Sequence, residues 1–270
     1  MGLANVKVAE TRVPRNIMDV FKPSVSLEHV TGIKIAIWGR AKVGKTHFAM
    51  TAPKPIYGID TEGSWSLNRK QFSKEDQEKI NVAQVLYESD KKNHKVDVVA
   101  SLQAAYDALD VLTDFIATYE GPVGTIVIDS GSDIWDWLGT WKDESNFSDP
   151  GRLAWGHANK RYNEFIMMML HSKWNVIGIF RAEAAVGNSG VDLGYDKAKW
   201  QKKTDYWFDV IIEFQQSANG RKAIFRGDRY GGNLGTIENP TWDTLVQHLE
   251  TKKKVKVNSG AMTILPVLSM

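Results

Sequence analysis

"GIKIAIWGRAKVGKTHFAM", Gly32 to Met50, decides how the rest of this chain is read. In its first half, Ile33, Ile35, Ala36, Ile37 and Trp38 leave no polar face, which predicts a strand buried on both sides. "GRAKVGKT", Gly39 to Thr46, then fits G-x-x-x-x-G-K-[ST] in full. A helix is expected from about Gly44 and must stop before Pro53. A glycine-rich loop between a buried strand and a helix can turn its backbone N–H groups on a phosphate. The residues expected to hold a nucleotide are Gly39, Arg40, Ala41, Lys42, Val43, Gly44, Lys45, Thr46 and His47. Lys45 would reach the β- and γ-phosphates of ATP, and the Thr46 hydroxyl would ligate Mg²⁺. A chance match in a Gly/Lys-rich turn is the plain alternative. The strand before the motif and the helix after it argue against that.

Working outward, "TIVIDS", Thr125 to Ser130, places Asp129 at the end of another buried strand, as a carboxylate partner for Mg²⁺ requires. "PIYGID" reads as a buried strand as well, and it runs into "TEGSW". Two carboxylates, Asp60 and Glu62, thus stand where a hydrophobic strand leaves the core. Acidic residues and glycine commonly mark such a turn. Hydrolysis also needs a group to orient or deprotonate water, and the residue after Asp129 is Ser130 rather than Glu. Glu62 is therefore the candidate base, with Lys45 beside it in catalysis, and Asp60 reads as a turn residue.

Further strands are predicted at "INVAQVLY", Ile80 to Tyr87, and "NVIGIF", Asn175 to Phe180. Helical spacing of Leu102, Tyr106, Leu109, Leu112, Phe115, Ile116 and Tyr119 predicts a helix ending at Gly121. "AWGHANKRYNEFIMMMLHSK" predicts another, with Met167, Met168 and Met169 in its core. "DVIIEFQQSANGRKAIFR" reads as a hairpin turning at Asn219-Gly220. The expected fold class is α/β, a mostly parallel sheet with helices on both faces and a C-terminal antiparallel hairpin. In such sheets ligands bind at the carboxyl ends of the strands. The organisation expected is an N-terminal arm over 1–30, a nucleotide-binding domain over 31–250 and a basic segment and tail over 251–270.

The chain has 270 residues, 43% apolar and 24% charged, an ordinary globular mixture. A net charge of +2 excludes a polycation, so any nucleic-acid contact must be a local patch. No Cys is present, which excludes disulfides and thiolate metal sites. No stretch approaches the apolar length of a membrane span, so no membrane partner and a cytoplasmic location are expected.

"GRAKVGKTHFA", "IDTEG" and "TIVIDS" occur in the order of the RecA/RadA recombinases, which the chain resembles over about residues 30 to 230. It also resembles the compact RecA-like ATPases of phages linked to single-strand annealing and recombination. The resemblance implies a RecA-like P-loop core that binds and hydrolyses ATP with Mg²⁺ and acts on single-stranded DNA, probed by a DNA-stimulated ATPase rate. It implies Glu62 as the water-activating base and a homo-oligomeric ring or filament. If the chain is phage-encoded, its location is the host cytoplasm. Two departures stand out: "IGIFRAEA" offers Arg181 and Glu183 where the recombinases often carry a Gln sensor, and about 30 residues precede the core.

In that family two loops beside the core bind single-stranded DNA. The corresponding stretches are about 139–156 and about 183–204. The second sets Lys197, Lys199, Lys202 and Lys203 around Trp200, where lysines can meet phosphates and an aromatic ring can stack on a base. The plain alternative is a solvated surface with Trp200 as a core anchor. From 197 to 256 there are twelve Lys/Arg against seven Asp/Glu, so the basic bias is local. "KKKVK", Lys252 to Lys256, offers another phosphate contact or a solvated end. Trp135, Trp137 and Trp141 read as core or subunit packing. Lys222, Arg226 and Arg229 are candidates for a cation supplied in trans to the transferring phosphoryl group. The rival function is a nucleotide-gated assembly factor without DNA binding, or a helicase-like motor.

Overall fold

The structure, a computed structural model, describes residues 32–270 apart from 91, 94, 146–150, 188, 230–234, 254–256, 259–260 and 263–270, with side chains described through 251. The expected arm over 1–30 lies outside the described residues. So do Lys254 and Lys256.

Elements follow in the order β1 (Lys34–Gly39), α1 (Lys45–Met50), β2 (Ile56–Asp60), α2 (Trp65–Arg69), α3 (Lys74–Glu78), β3 (Ile80–Gln84), β4 (Glu88–Asp90), β5 (Lys95–Val96) and α4 (Val98–Thr118). Then come β6 (Thr125–Asp129), α5 (Gly131–Glu144), α6 (Arg152–Leu170), β7 (Asn175–Val186), β8 (Asp192–Ala198) and a 3₁₀ turn (Thr204–Trp207). The chain continues with β9 (Val210–Ser217), β10 (Gly220–Asp228), β11 (Thr236–Glu238), α7 (Trp242–Lys253), β12 (Val257–Asn258) and β13 (Ala261–Met262).

One sheet runs β11-β10-β9-β1-β7-β6-β2-β3, with β8 paired to β7 off this path. From β9 to β3 it is parallel, and β10 runs antiparallel to both β9 and β11. This is the α/β architecture that the sequence predicted, a mostly parallel sheet ending in antiparallel strands. Strand alternation builds its two cores. Ile35 and Ile37 face Phe48, Met50, Trp242, Leu245 and Leu249 on α1 and α7. Ala36 and Trp38 face the other way, toward Leu109, Trp137, Tyr162 and Phe165 on α4, α5 and α6. A central strand must therefore be apolar at nearly every position, which is why β1 and β6 are buried throughout.

Several expectations need correction. The stretch 139–156 is mostly helix: α5 runs on to Glu144 and α6 starts at Arg152. The stretch 183–204 is not a long loop but a β-hairpin, because β7 continues past Phe180 to Val186 and pairs antiparallel with β8. The β9–β10 turn lies one residue earlier than expected, since Ser217 pairs with Gly220. Strand β3 ends at Gln84, not Tyr87, and α4 ends at Thr118. Of the three methionines, Met169 is fully buried but Met167 is 37% exposed, because α6 turns only one face to the core. Trp137 is buried as expected, and Trp135 and Trp141 pack partly buried against the same cluster. A boundary at 250 falls inside α7, whose Leu245 and Leu249 are buried against the sheet. Among the described residues no helix is long and apolar enough to cross a membrane.

Candidate nucleotide site

The strand order aligns the sequence motifs along one sheet edge. Register pairs Gly39 with Arg181, Asp129 with Ile179, and Asp60 with Asp129. The carboxyl ends of β1, β6 and β2 therefore lie in line with the middle of β7, at Ile179 to Arg181, although these residues are far apart in sequence.

The loop between β1 and α1 takes left-handed backbone at Lys42 (φ 65°) and Gly44 (φ 91°), which is how a short loop turns its N–H groups inward. Gly39 is needed for another reason. A Cβ there would meet the Phe214 carbonyl oxygen on β9 at 2.3 Å. Lys45 Nζ donates to the carbonyls of Gly39 (2.9 Å) and Arg40 (2.7 Å). Burial holds its pKa below the ordinary lysine value, against the attraction of Asp129 and Glu62. His47 is half-buried, its ring 5.1 Å from that of Phe72, and burial lowers its pKa.

Asp129 is buried and accepts two hydrogen bonds on Oδ2, from Thr46 Oγ1 (2.7 Å) and from the indole Nε1 of Trp65 (3.0 Å). Burial, aided by the nearby charges of Glu62 and Asp60, pushes its carboxyl up to about 6. Among the described residues no three acidic or imidazole side chains converge to hold a metal by themselves. The Thr46–Asp129 pair nonetheless fits Mg²⁺: both donors are hard oxygens in hydrogen-bond contact, and among the described residues the buried carboxyl makes no salt bridge. Phosphate oxygens of a nucleotide would complete such a site.

Asp60 and Glu62 separate cleanly in role. Asp60 is fully buried and accepts from the N–H groups of Glu62 (3.0 Å), Gly63 (2.9 Å) and Trp65 (3.1 Å), so it ties the turn and the start of α2. Glu62 points outward, 38% exposed, and its Oε1 accepts from Arg181 Nε (3.0 Å) and Nη2 (2.9 Å). Among the described residues its Oε2 has no hydrogen bond. Arg181 also pairs with Asp133 at 2.7 Å. Asp133 in turn accepts from Thr61 Oγ1 (2.6 Å) and Ser130 Oγ (3.0 Å), and burial raises its pKa. A chain of contacts thus runs Thr61–Asp133–Arg181–Glu62 across three strand ends.

The β7–β8 hairpin is fastened to this edge at two places. Arg40 of the phosphate loop donates to Asp196 of β8 at 2.5 Å. The Lys199 backbone lies between Arg181 and Ser132: its N–H donates to Arg181 O (2.8 Å) and its carbonyl accepts from Ser132 Oγ (2.6 Å). The expected DNA-contact residues divide accordingly. Lys199 Nζ is taken by Asp136 (2.5 Å) and Lys197 by Glu183 (3.3 Å). Trp200 is half-buried, edge-to-face with Phe180 at 5.0 Å, so much of its ring serves as a core anchor. Lys202 and Lys203 are exposed and make no ion pair among the described residues.

The three trans candidates divide as well. Arg226 Nε donates to Glu213 at 2.6 Å, and Arg229 donates to Tyr206 O at 2.6 Å and faces Asp209 at 3.7 Å, so both have partners in their own chain. Lys222, half-buried on β10, has none among the described residues.

Sequence reading missed Asp133, Trp65, Asp196 and Arg221, the last of which packs against Gly44, as neighbours of the site. Asp133 stands four residues after Asp129 at a helix start, a signal that was available. Asp196 and Arg221 reach the loop only through tertiary pairing.

A family model described as an AAA domain matches residues 31–231. No curated protein matches the chain. Among solved structures, the chain is similar to a prototypical ATPase from the type III secretion system of pathogenic bacteria. The identity is 14% and the TM-score 0.47, over 68% of this chain and 52% of that one, so the chain spans about half of that ATPase's length. It is also similar to the RadB recombinase, with 16% identity and a TM-score of 0.44, over 77% of this chain and 87% of that one.

Proposed function

The chain belongs to the AAA domain family of P-loop ATPases, and from that premise we propose a Mg²⁺-dependent ATP hydrolase in which Glu62 activates water and the β7–β8 hairpin carries the nucleotide state to single-stranded DNA. The observation that carries the hydrolytic half is the convergence of Lys45, Thr46, Asp129 and Glu62 on one sheet edge.

Thr46 and Asp129 would hold the metal, which neutralises phosphate charge when bound. The loop N–H groups and Lys45 bind and orient the phosphates. Arg181 fixes Glu62 through Oε1, which leaves Oε2 to accept a proton from water. Asp133 and Thr61 hold Arg181 in place. Arg181 would serve as the sensor of the γ-phosphate. A phosphate there would compete with two carboxylates for its guanidinium.

The DNA half is supported by the two fastenings of the hairpin. A shift of Arg181 or Arg40 upon nucleotide binding would pull on Lys199 and Asp196, and so on the segment bearing Lys202 and Lys203. Steady-state ATP hydrolysis, measured with and without an oligonucleotide over a range of salt, tests both halves. Stimulation by single strands that fades with salt is expected. Hydrolysis without stimulation, and no oligonucleotide binding in any nucleotide state, would favour the nucleotide-gated assembly factor instead.

A further inference from the structure

Gly44 carries more than a turn. A Cβ built on it would lie 2.5 Å from Cδ and 2.6 Å from Nη1 of Arg221, so a guanidinium rests on the phosphate loop itself. Arg221 comes from β10, 177 residues further along the chain by its numbering. Its backbone is held on both sides: it pairs with Gln216 of β9, donates its N–H to Asn239 Oδ1 (3.1 Å) and accepts from Asn239 N on its carbonyl (2.6 Å). The side chain is half-buried. Its guanidinium has no hydrogen bond or ion pair among the described residues, whereas Arg40, Arg181, Arg226 and Arg229 all have carboxylate partners.

An unpaired guanidinium held on a rigid strand costs charge repulsion beside His47, whose pKa is lowered by burial and then by the Arg221 charge. A planar fork of donors suits the oxygens of phosphates and carboxylates, and beside a phosphate loop the phosphate is the ligand to expect. We propose that Arg221 is a nucleotide-binding residue supplied in cis, contacting the α- and β-phosphates on the Gly44–His47 side of the loop. The γ-phosphate side is the one faced by Glu62 and Arg181. This inference rests on the phosphate-loop reading of Gly39 to Thr46.

The test is calorimetric titration of ADP and of ATP, each with Mg²⁺, into the full chain and its Arg221→Ala and Arg221→Lys variants. Loss of a charge-assisted contact to the diphosphate should raise Kd for ADP and ATP by one common factor, about 10- to 100-fold for Arg221→Ala. Arg221→Lys keeps the charge without the fork and should fall between. The unfolding midpoint without nucleotide should stay within a degree or two, about what a surface change produces. An unchanged Kd for both nucleotides overturns the proposal, as does a loss confined to ATP, which would move the contact to the γ-phosphate. If Arg221→Ala does not fold, Arg221→Lys decides on the same criteria. A wild type that binds neither nucleotide sinks the phosphate-loop reading itself, and that failure shows before any variant is made.

Discussion

Glu62 and Asp60 sit two residues apart, and their surroundings give them different tasks. Asp60 spends both oxygens on backbone N–H groups, so it shapes the turn. Glu62 keeps one oxygen for Arg181 and turns the other outward. Glu62→Gln should therefore keep ATP binding and lower kcat by roughly 10²-fold or more, the usual worth of a positioned base. Wild-type turnover in that variant would remove Glu62 from the chemistry. Asp129 makes a separate prediction, for protein free of metal and nucleotide. Its carboxyl ordinarily titrates at 3.8, and in the fold at about 6. Between these values the folded state binds the extra proton, so stability falls as pH rises across the window and the full penalty stands above it. Thermal midpoints from pH 4 to pH 7 should decline for this reason. Asp129→Asn should flatten that slope, and an identical slope in the variant would mean that Asp129 is not its source.

At the scale of elements, α2 is fastened to β2 by Asp60, which accepts from the Trp65 N–H, and by the Trp65 side chain. Trp65 is fully buried, donates to Asp129, and lies where a Cβ on Gly58 would meet its ring at 2.3 Å. Gly58→Ala must push the indole away, which should cost about 1–3 kcal/mol of stability and weaken Mg²⁺-dependent turnover with it. Denaturant unfolding checks the first effect; an unchanged midpoint would show that the ring has room to move. The β7–β8 hairpin makes the other prediction at this scale. With Lys199 and Lys197 engaged in ion pairs, Lys202 and Lys203 remain to meet phosphates. Replacing both with Ala should flatten the salt dependence of oligonucleotide binding by up to about 1.4, at roughly 0.7 per phosphate on single strands. Anisotropy of a labelled oligonucleotide measures that slope, and an unaltered slope would place the DNA contact elsewhere.

For the whole molecule the open matter is whether one chain completes the site. Arg226 and Arg229 are occupied by Glu213 and Asp209 in their own chain, so of the three trans candidates Lys222 is the one with no partner among the described residues. If sites are shared between copies, mixing Glu62→Gln subunits with Lys222→Ala subunits should recover part of the activity that neither has alone. Each hybrid interface would regain both groups in one of its two orders. Additive, unrestored rates in the mixture, together with full wild-type activity at monomeric mass in light scattering, would mean that the site is complete in one chain.

Sequence alone determined the buried strands and the phosphate loop, because both are local facts. A strand buried on two faces must be apolar throughout, as "IKIAIW" and "TIVI" are, and a phosphate loop needs its glycines and lysine at set spacing. It also determined that Asp129 and Glu62 leave strand ends. Only the tertiary structure decided that these ends are neighbours, since β6 and β2 meet through register and not through chain distance. The same holds for Arg181 on Glu62, Trp65 on Asp129 and Arg221 on Gly44. Where 183–204 read as a loop, its turn residues hid the pairing: β8 has six of seven positions at least partly exposed and shows no buried stripe. An exposed strand leaves no hydrophobic period to read, and its hydrogen bonds to β7 exist only once the sheet is built.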